Sequence, residues 1–202
     1  MKLVTQVSLS LPNWLFNDIA SGNVPTVLLT EPEQMAYAIH LSRRNVEEKA
    51  GGPFGAVVVE TQTGIVKGVG VNSVVPMHCS LAHAEAMALT MAQAAIGTYD
   101  LGEAGSPKHT LATSTDPCVQ CFGMVHWSGV TKVLCGAYGY DAERLARFNE
   151  GPKHPFWVRE LKRNGVAVKR GLLRKEACAV LRQYRQADGI KYNGRGEGRS
   201  TK

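Results

Sequence analysis

The chain predicts an α/β fold, a three-layer α/β/α sandwich in which helices flank a five-stranded mixed sheet. Three observations lead there. GAVVVE (55–60) and IVKGVGV (65–71), joined by the polar TQTG, have the composition of a β-hairpin, so the sheet holds an antiparallel pair. Beyond the hairpin, apolar strand-like runs alternate with helical periodicities, a pattern that implies parallel pairing across helical crossovers. With 202 residues, 44% of them hydrophobic, the chain can bury one substantial core and does not require a second domain.

The elements follow in order. Residues 1–30 form an N-terminal extension without a clear pattern. Thr30-Glu31-Pro32-Glu33 has the Thr-x-x-Glu form of a capping box, and Met35, Ile39 and Val46 recur at helical spacing, which predicts a helix over 31–49. The hairpin comes next, then a helix over 82–96, strand HTLATS (109–114), a helix over 118–128 and strand TKVLCGA (131–137). Helices near 141–148 and 154–163, strand VAVKR (166–170) and a helix over 172–186 close the domain, which spans 31–186. Residues 187–202 are expected to be a basic, mobile tail, because KYNGRGEGRSTK is polar and glycine-rich.

Composition narrows location and partners. The start, MKLVTQVSLSLPNW, does not read as a signal peptide, and no run approaches the ~18 apolar residues of a membrane span. Five cysteines, an odd number, argue against a disulfide framework and for a reducing cytoplasm. The net charge of +6 is concentrated at one end: residues 1–169 hold 14 Lys/Arg against 14 Asp/Glu, and residues 170–202 hold 9 against 3. A basic tail serves either phosphate contact or a solvated terminal helix. The neutral body favours the second, so neither nucleic acid nor membrane is the expected partner.

Two short segments carry the chemistry. In DPCVQCFGM (116–124), Cys118 and Cys121 are three apart at a predicted helix start, where the helix N-terminus favours thiolates. The spacing alone suits zinc and redox chemistry equally. In LAHAEAMAL (81–89), His83 supplies an imidazole, and one His with two Cys leaves the fourth tetrahedral position of a zinc ion open, the arrangement of catalytic sites. Glu85, in the first turn of the same helix, is positioned to move protons, whereas alone it would merely complement the helix dipole. His78 and Cys79, just upstream, are the residues that would close the site structurally if one were a fourth ligand. That outcome would make the chain a zinc-stabilised binding module without turnover.

His83-Ala84-Glu85 followed by Pro117-Cys118-Val119-Gln120-Cys121 fits the H-x-E…P-C-x-x-C signature of zinc deaminases. From about Pro53 to Tyr184 the chain resembles the cytidine deaminase superfamily, whose five-stranded mixed sheet agrees with the strands above. The resemblance implies one zinc ion held by His83, Cys118 and Cys121, with Glu85 shuttling the proton during hydrolytic deamination. Backbone N–H groups of Ala84 and Cys118 are placed to hold the attacking oxygen.

GGPFGAVVV (51–59), NSVV (72–75), HWSG (126–129) and RFNE (147–150) look most like bacterial guanine deaminases. That resemblance implies a free nucleobase substrate, guanine, with Asn72 and Trp127 binding the purine and Glu150 as a second acidic group. Phe54 is a candidate for the pocket wall. Each has a plainer role available: a loop cap for Asn72, core for Trp127, a sheet plug for Phe54 and a solvated turn for Glu150. Glu143 and Asp141 are the alternatives to Glu150. The resemblance also implies a homodimer in which the C-terminal segment, with Tyr184 and Tyr192, can close over the neighbouring subunit's pocket. The rival substrates are a tRNA adenosine and other aminated heterocycles: cytosine, a pterin or an aminotriazine.

Overall fold

The computed structural model describes residues 3–194. Its sheet has the order β2-β1-β3-β4-β5, with β1 spanning Gly55–Glu60, β2 Val66–Val71, β3 His109–Thr115, β4 Lys132–Ala137 and β5 Ala167–Lys169. β1 pairs antiparallel with both β2 and β3, and β3–β4 and β4–β5 are parallel. The mixed five-stranded sheet is therefore the expected one. Because β2 and β3 both oppose β1, they point the same way, and the segments leaving their C-terminal ends emerge on one edge. That edge carries Asn72 after β2 and Asp116-Pro117-Cys118 after β3.

Both faces are covered. Val57 and Val59 of β1 pack into one apolar cluster with α2 (Glu31–Glu47) and α8 (Arg174–Gln186). Ala56 and Val58 pack into the other, with α4 (Ala84–Ile96), α5 (Val119–Trp127) and α7 (Trp157–Arg163). The period-2 alternation of a strand thus feeds two cores, which is why β1 reads as a continuous apolar run.

Several boundaries differ from the sequence reading. The capping box at Thr30 is present in both directions, Thr30 N–H donating to Glu33 Oε2 at 2.8 Å and Glu33 N–H to Thr30 Oγ1 at 3.3 Å. The helix expected over 141–148 is replaced by the short α6 (Gly139–Asp141) and a π-helical turn at Ala142–Ala146, ended by Arg147 with φ 60°. Asp141 explains the anchoring: Arg174 Nε and Nη2 donate to its two oxygens, both at 2.8 Å.

The N-terminal extension holds a helix the sequence reading missed, α1 (Asn13–Ala20), whose Leu15 is fully buried in the first cluster. Arg44 of α2 lies over the Trp14 ring at 5.0 Å, and Val66 N–H donates to Thr26 O at 2.9 Å, so this segment packs on α2 and on the hairpin. A second unforeseen helix, α3 (Val74–Met77), follows Asn72.

The described part of the C-terminal segment is packed, contrary to the expected mobile tail. The chain turns at Asp188 (φ 51°), Tyr184 Oη donates to Ile190 O at 2.7 Å, and the Tyr192 ring sits 4.9 Å from that of Phe148. Aromatic burial outweighs the local polarity that suggested disorder. Residues 195–202, the rest of that tail, lie outside the described residues.

One contact sets where α4 lies. Ala84, Ala88 and Ala92 recur every four residues and form a flat stripe, and Gly68 and Gly70 of β2 face it. A Cβ at Gly70 would collide with the Ala84 carbonyl and the Ala88 N–H, and one at Gly68 with Ala88 and Ala92. Helix and sheet backbones touch because neither side carries bulk. Gly70→Ala is expected to cost about 1–3 kcal/mol and to lower Tm by roughly 2–12 °C in a thermal melt.

Candidate active site

The helix starts of α4 and α5 meet. His83 is the N-cap of α4 and Cys118 the N-cap of α5, both extended and neither making a side-chain cap bond, while Cys121 occupies the first turn of α5. Cys118 and Cys121 thus stand in the N-cap-to-N3 relation, in which two side chains converge off a helix end. Sγ of Cys118 lies 3.4 Å and Sγ of Cys121 3.5 Å from His83 Nδ1. Bonds of about 2.0 Å to nitrogen and 2.3 Å to sulfur at a tetrahedral angle place those atoms about 3.5 Å apart, so the donor set fits zinc. Among the described residues these three form the group of potential ligand atoms within 4.8 Å of one another, and Cys79 and His78 are not in it. A redox pair would not explain why one imidazole nitrogen, with a single lone pair, faces both sulfurs.

The electrostatics favour a cation. The Cys118 thiol is lowered to about 4, chiefly by its hydrogen bond with Cys121, against burial and with the help of His83. Two helix N-termini add their positive ends to stabilise thiolate. Glu85, 6% exposed, is raised above the ordinary carboxylate range, first by burial and then by the charge of Cys118. It is consequently suited to holding a proton at the metal. Ala84 contributes through its backbone: its side chain is buried in the core, and as the first residue of α4 it has an N–H without an intrahelical partner.

These groups open into a cavity of about 270 Å³ whose wall includes Phe54, Asn72, Glu85, Phe148, Glu150 and Tyr192. Phe54 meets Phe148 edge-on at 5.0 Å, which places it on the wall and in the core at once. Asn72 Oδ1 accepts from the N–H of Gly52 and of Val74, each at 3.4 Å, and its backbone oxygen accepts from Asn45 Nδ2 at 2.9 Å. Its buried Nδ2 has no hydrogen-bond partner among the described residues. Glu150, 8% exposed, leaves Oε2 equally without a hydrogen-bond partner, and burial, then the charge of Cys118, push its carboxyl well above the usual range.

Not every candidate arrives. Trp127 ends α5, is 80% exposed and does not line the cavity. Nine residues at ~1.5 Å each carry it about 13 Å from Cys118 along the helix. Neither expected role, purine contact or core, holds for Trp127 within this chain. Asp141 is committed to Arg174, and Glu143 does not border the cavity, so of the three acidic candidates Glu150 is the one that lines it. Tyr192 lines the pocket of its own chain. Asp116 and Lys153 were missed by sequence reasoning: Asp116 also borders the cavity, and Lys153 Nζ donates to Pro117 O at 2.5 Å. The only sequence signal was the adjacency of Asp116 to the cysteine motif.

Comparison with known proteins agrees with this geometry. Residues 30–137 match the model of the cytidine and deoxycytidylate deaminase zinc-binding region. The fold superposes on a guanine deaminase from Nitrosomonas europaea with a TM-score of 0.84 and 41% identity, covering 92% of this chain and 100% of that one. The guanine deaminase of Bacillus subtilis is 34% identical over 105 residues, which are 52% of this chain and 63% of that protein, less than two thirds of its length. A tRNA-specific adenosine deaminase of Buchnera aphidicola is 30% identical over 141 residues, 68% of this chain and 83% of that protein. The chain belongs to the cytidine and deoxycytidylate deaminase family, with His83, Cys118 and Cys121 as its zinc site.

Proposed function

We propose that the protein hydrolyses free guanine to xanthine and ammonia. The observation that carries this reading is the pair of buried polar groups without partners, Asn72 Nδ2 and Glu150 Oε2, on the wall of the cavity that Glu85 also borders. Buried polar atoms in native proteins are nearly always paired; among the described residues Trp14, Gln34, Ser42 and Asn45 also leave one unpaired, but only Asn72 and Glu150 do so on residues that line this cavity, where a ligand can supply the partners. A guanine edge offers acceptors at O6 and N7 and donors at N1 and N2, and an amide N–H with a carboxyl answers both kinds. The similarity to two guanine deaminases points the same way.

Zinc, when bound, supplies the Lewis acidity that brings water to a pKa of about 7. The chain's own residues do the rest. Glu85, buried and raised in pKa, takes one proton from water and delivers it to the ring nitrogen beside the attacked carbon, then carries the second proton, from the hydroxyl now on that carbon, to the departing amine, which leaves as ammonia. The Ala84 and Cys118 N–H groups hold the developing negative charge. Asn72 and Glu150 orient the base, and Phe54, Phe148 and Tyr192 keep bulk water from the ring.

We further infer a homodimer, a role in purine metabolism and a cytoplasmic location. The exposed Trp127 on α5 suits burial against a second copy, and no helix among the described residues is long and apolar enough to cross a membrane. Residues 31–186 act as the deaminase unit, with residues 1–30 as an extension of it. A tRNA substrate fits less well: the body of the chain is neutral, and Tyr192, Asn193 and Gly194 narrow the cavity.

A panel of free bases, nucleosides, aminotriazines and tRNA, assayed for ammonia release, tests this. Guanine is expected to be turned over without salt dependence, and Glu85→Ala to lose about 10²–10⁴-fold in kcat. Asn72→Ala should lower kcat/KM for guanine by about tenfold or more. Activity confined to tRNA and collapsing with salt would overturn the guanine reading.

Glu150 gives a pH test. Its folded pKa exceeds the unfolded value of about 4.3, so stability is full below that pH and falls as pH rises through the raised value. Glu150→Gln lacks that loss. In alkaline melts its Tm should exceed that of the parent by ~2–4 °C per kcal/mol regained, while near pH 4 the two should coincide. Activity should fall in the same variant.

A further inference from the structure

We propose that Lys153 and Arg170, two cations stacked on the Trp157 ring, are positioning residues that hold the turn presenting Cys118 to zinc. Trp157 is buried at the first position of α7, with Lys153 Nζ 4.9 Å and the Arg170 guanidinium carbon 5.2 Å from its ring centroid. Each cation then reaches one of the two residues that precede Cys118. Lys153 Nζ donates to Pro117 O at 2.5 Å. Arg170 Nε donates to Asp116 Oδ1 at 2.9 Å, and its Nη2 to Asp116 Oδ2.

The turn needs such support because its own backbone offers little. Pro117 has no N–H, so its carbonyl is the one polar backbone group by which that residue can be held. Asp116 is buried, and its charge is compensated by the bidentate guanidinium together with the Gly139 N–H, which donates to Oδ2 at 3.0 Å. On the far side of Cys118, Val119 N–H donates to Glu150 O at 3.0 Å. Residues 116, 117 and 119 are therefore each fixed by groups outside α5, and Cys118 is left to point its sulfur at His83. The Arg170 guanidinium also lies 4.5 Å from the Tyr138 ring centroid, which restricts the fork that Asp116 meets. A lysine with no task here would extend into water; this one is held over an aromatic ring against a proline carbonyl.

The inference concerns how the zinc site is built and rests on that site, not on which base is hydrolysed. Its test measures zinc affinity by chelator competition, the visible spectrum of the cobalt-substituted protein and the Tm of the metal-free protein, in Lys153→Met, Lys153→Arg and Arg170→Lys. Loss of a group that orients a ligand typically weakens metal binding about 10–100-fold, and Lys153→Met is expected to do so and to alter the thiolate-to-cobalt bands. Lys153→Arg, which keeps a cation on the ring and a donor toward Pro117 O, should recover most of the affinity. If Lys153→Met does not fold, Arg170→Lys is read by the same criterion. Zinc affinity within about twofold of the parent, with unchanged cobalt bands and a loss only in Tm, would overturn the proposal. Because none of the three readouts involves the substrate, failure here leaves the guanine reading standing, and the reverse also holds.

Discussion

The site depends on α4 and α5 beginning within a few ångströms of one another, so that His83 and Cys118, each the residue before its helix, bring Nδ1 and Sγ to 3.4 Å. The two helices are placed by unrelated means. α4 is laid down by its alanine stripe against Gly68 and Gly70, a contact that works through the absence of side chains. α5 is placed by polar anchors on Asp116, Pro117 and Val119. Gln120 Nε2, donating to Ser80 O at 3.1 Å, ties the two starts together. The sheet makes this possible because β2 and β3, both antiparallel to β1, release their following segments on the same edge.

The site also concentrates costs that the remainder of the fold must offset. Glu85 and Glu150 are buried carboxyls with raised pKa values, and Asn72 and Glu150 each keep a polar atom without a partner. An unmade hydrogen bond in the interior costs roughly 1–3 kcal/mol, a sizeable share of a stability of about 5–15 kcal/mol. Other buried carboxylates are paired: Asp141 with Arg174 and, at the border of the cavity, Asp116 with Arg170. Of the buried polar atoms without a partner among the described residues, Asn72 Nδ2 and Glu150 Oε2 belong to residues that line the cavity, while those of Trp14, Gln34, Ser42 and Asn45 lie elsewhere in the fold.

Much of this was legible in the residues. The hairpin and the β/α alternation fixed the class because period-2 and period-3.6 patterns are local, and TQTG supplied an unambiguous turn. The zinc set was legible because H-x-E and P-C-x-x-C each impose local geometry and their order restricts the combination. Trp127 misled, since a tryptophan beside the cysteine helix reads equally as core or pocket until the helix's rotation and length are known. The 141–148 segment misled as well: nothing in AERLA marks a π-helical turn, which forms where Asp141 is clamped by Arg174 from a helix 33 residues later.

What the sequence determined by itself, then, was the fold class and the donor set His83, Cys118 and Cys121, with Glu85 marked as the candidate proton carrier, all of which rest on interactions within a few residues or on donor chemistry. Only the tertiary structure decided that Asn72 and Glu150 face one cavity with atoms to spare, that Tyr192 folds back over its own chain's pocket, and that Lys153, Arg170 and Trp157 stand behind the metal-bearing turn. Those residues lie tens of positions from the motifs they serve. Their meeting is set by sheet order, by glycine-thin contacts and by desolvation, none of which leaves a periodic trace in the chain.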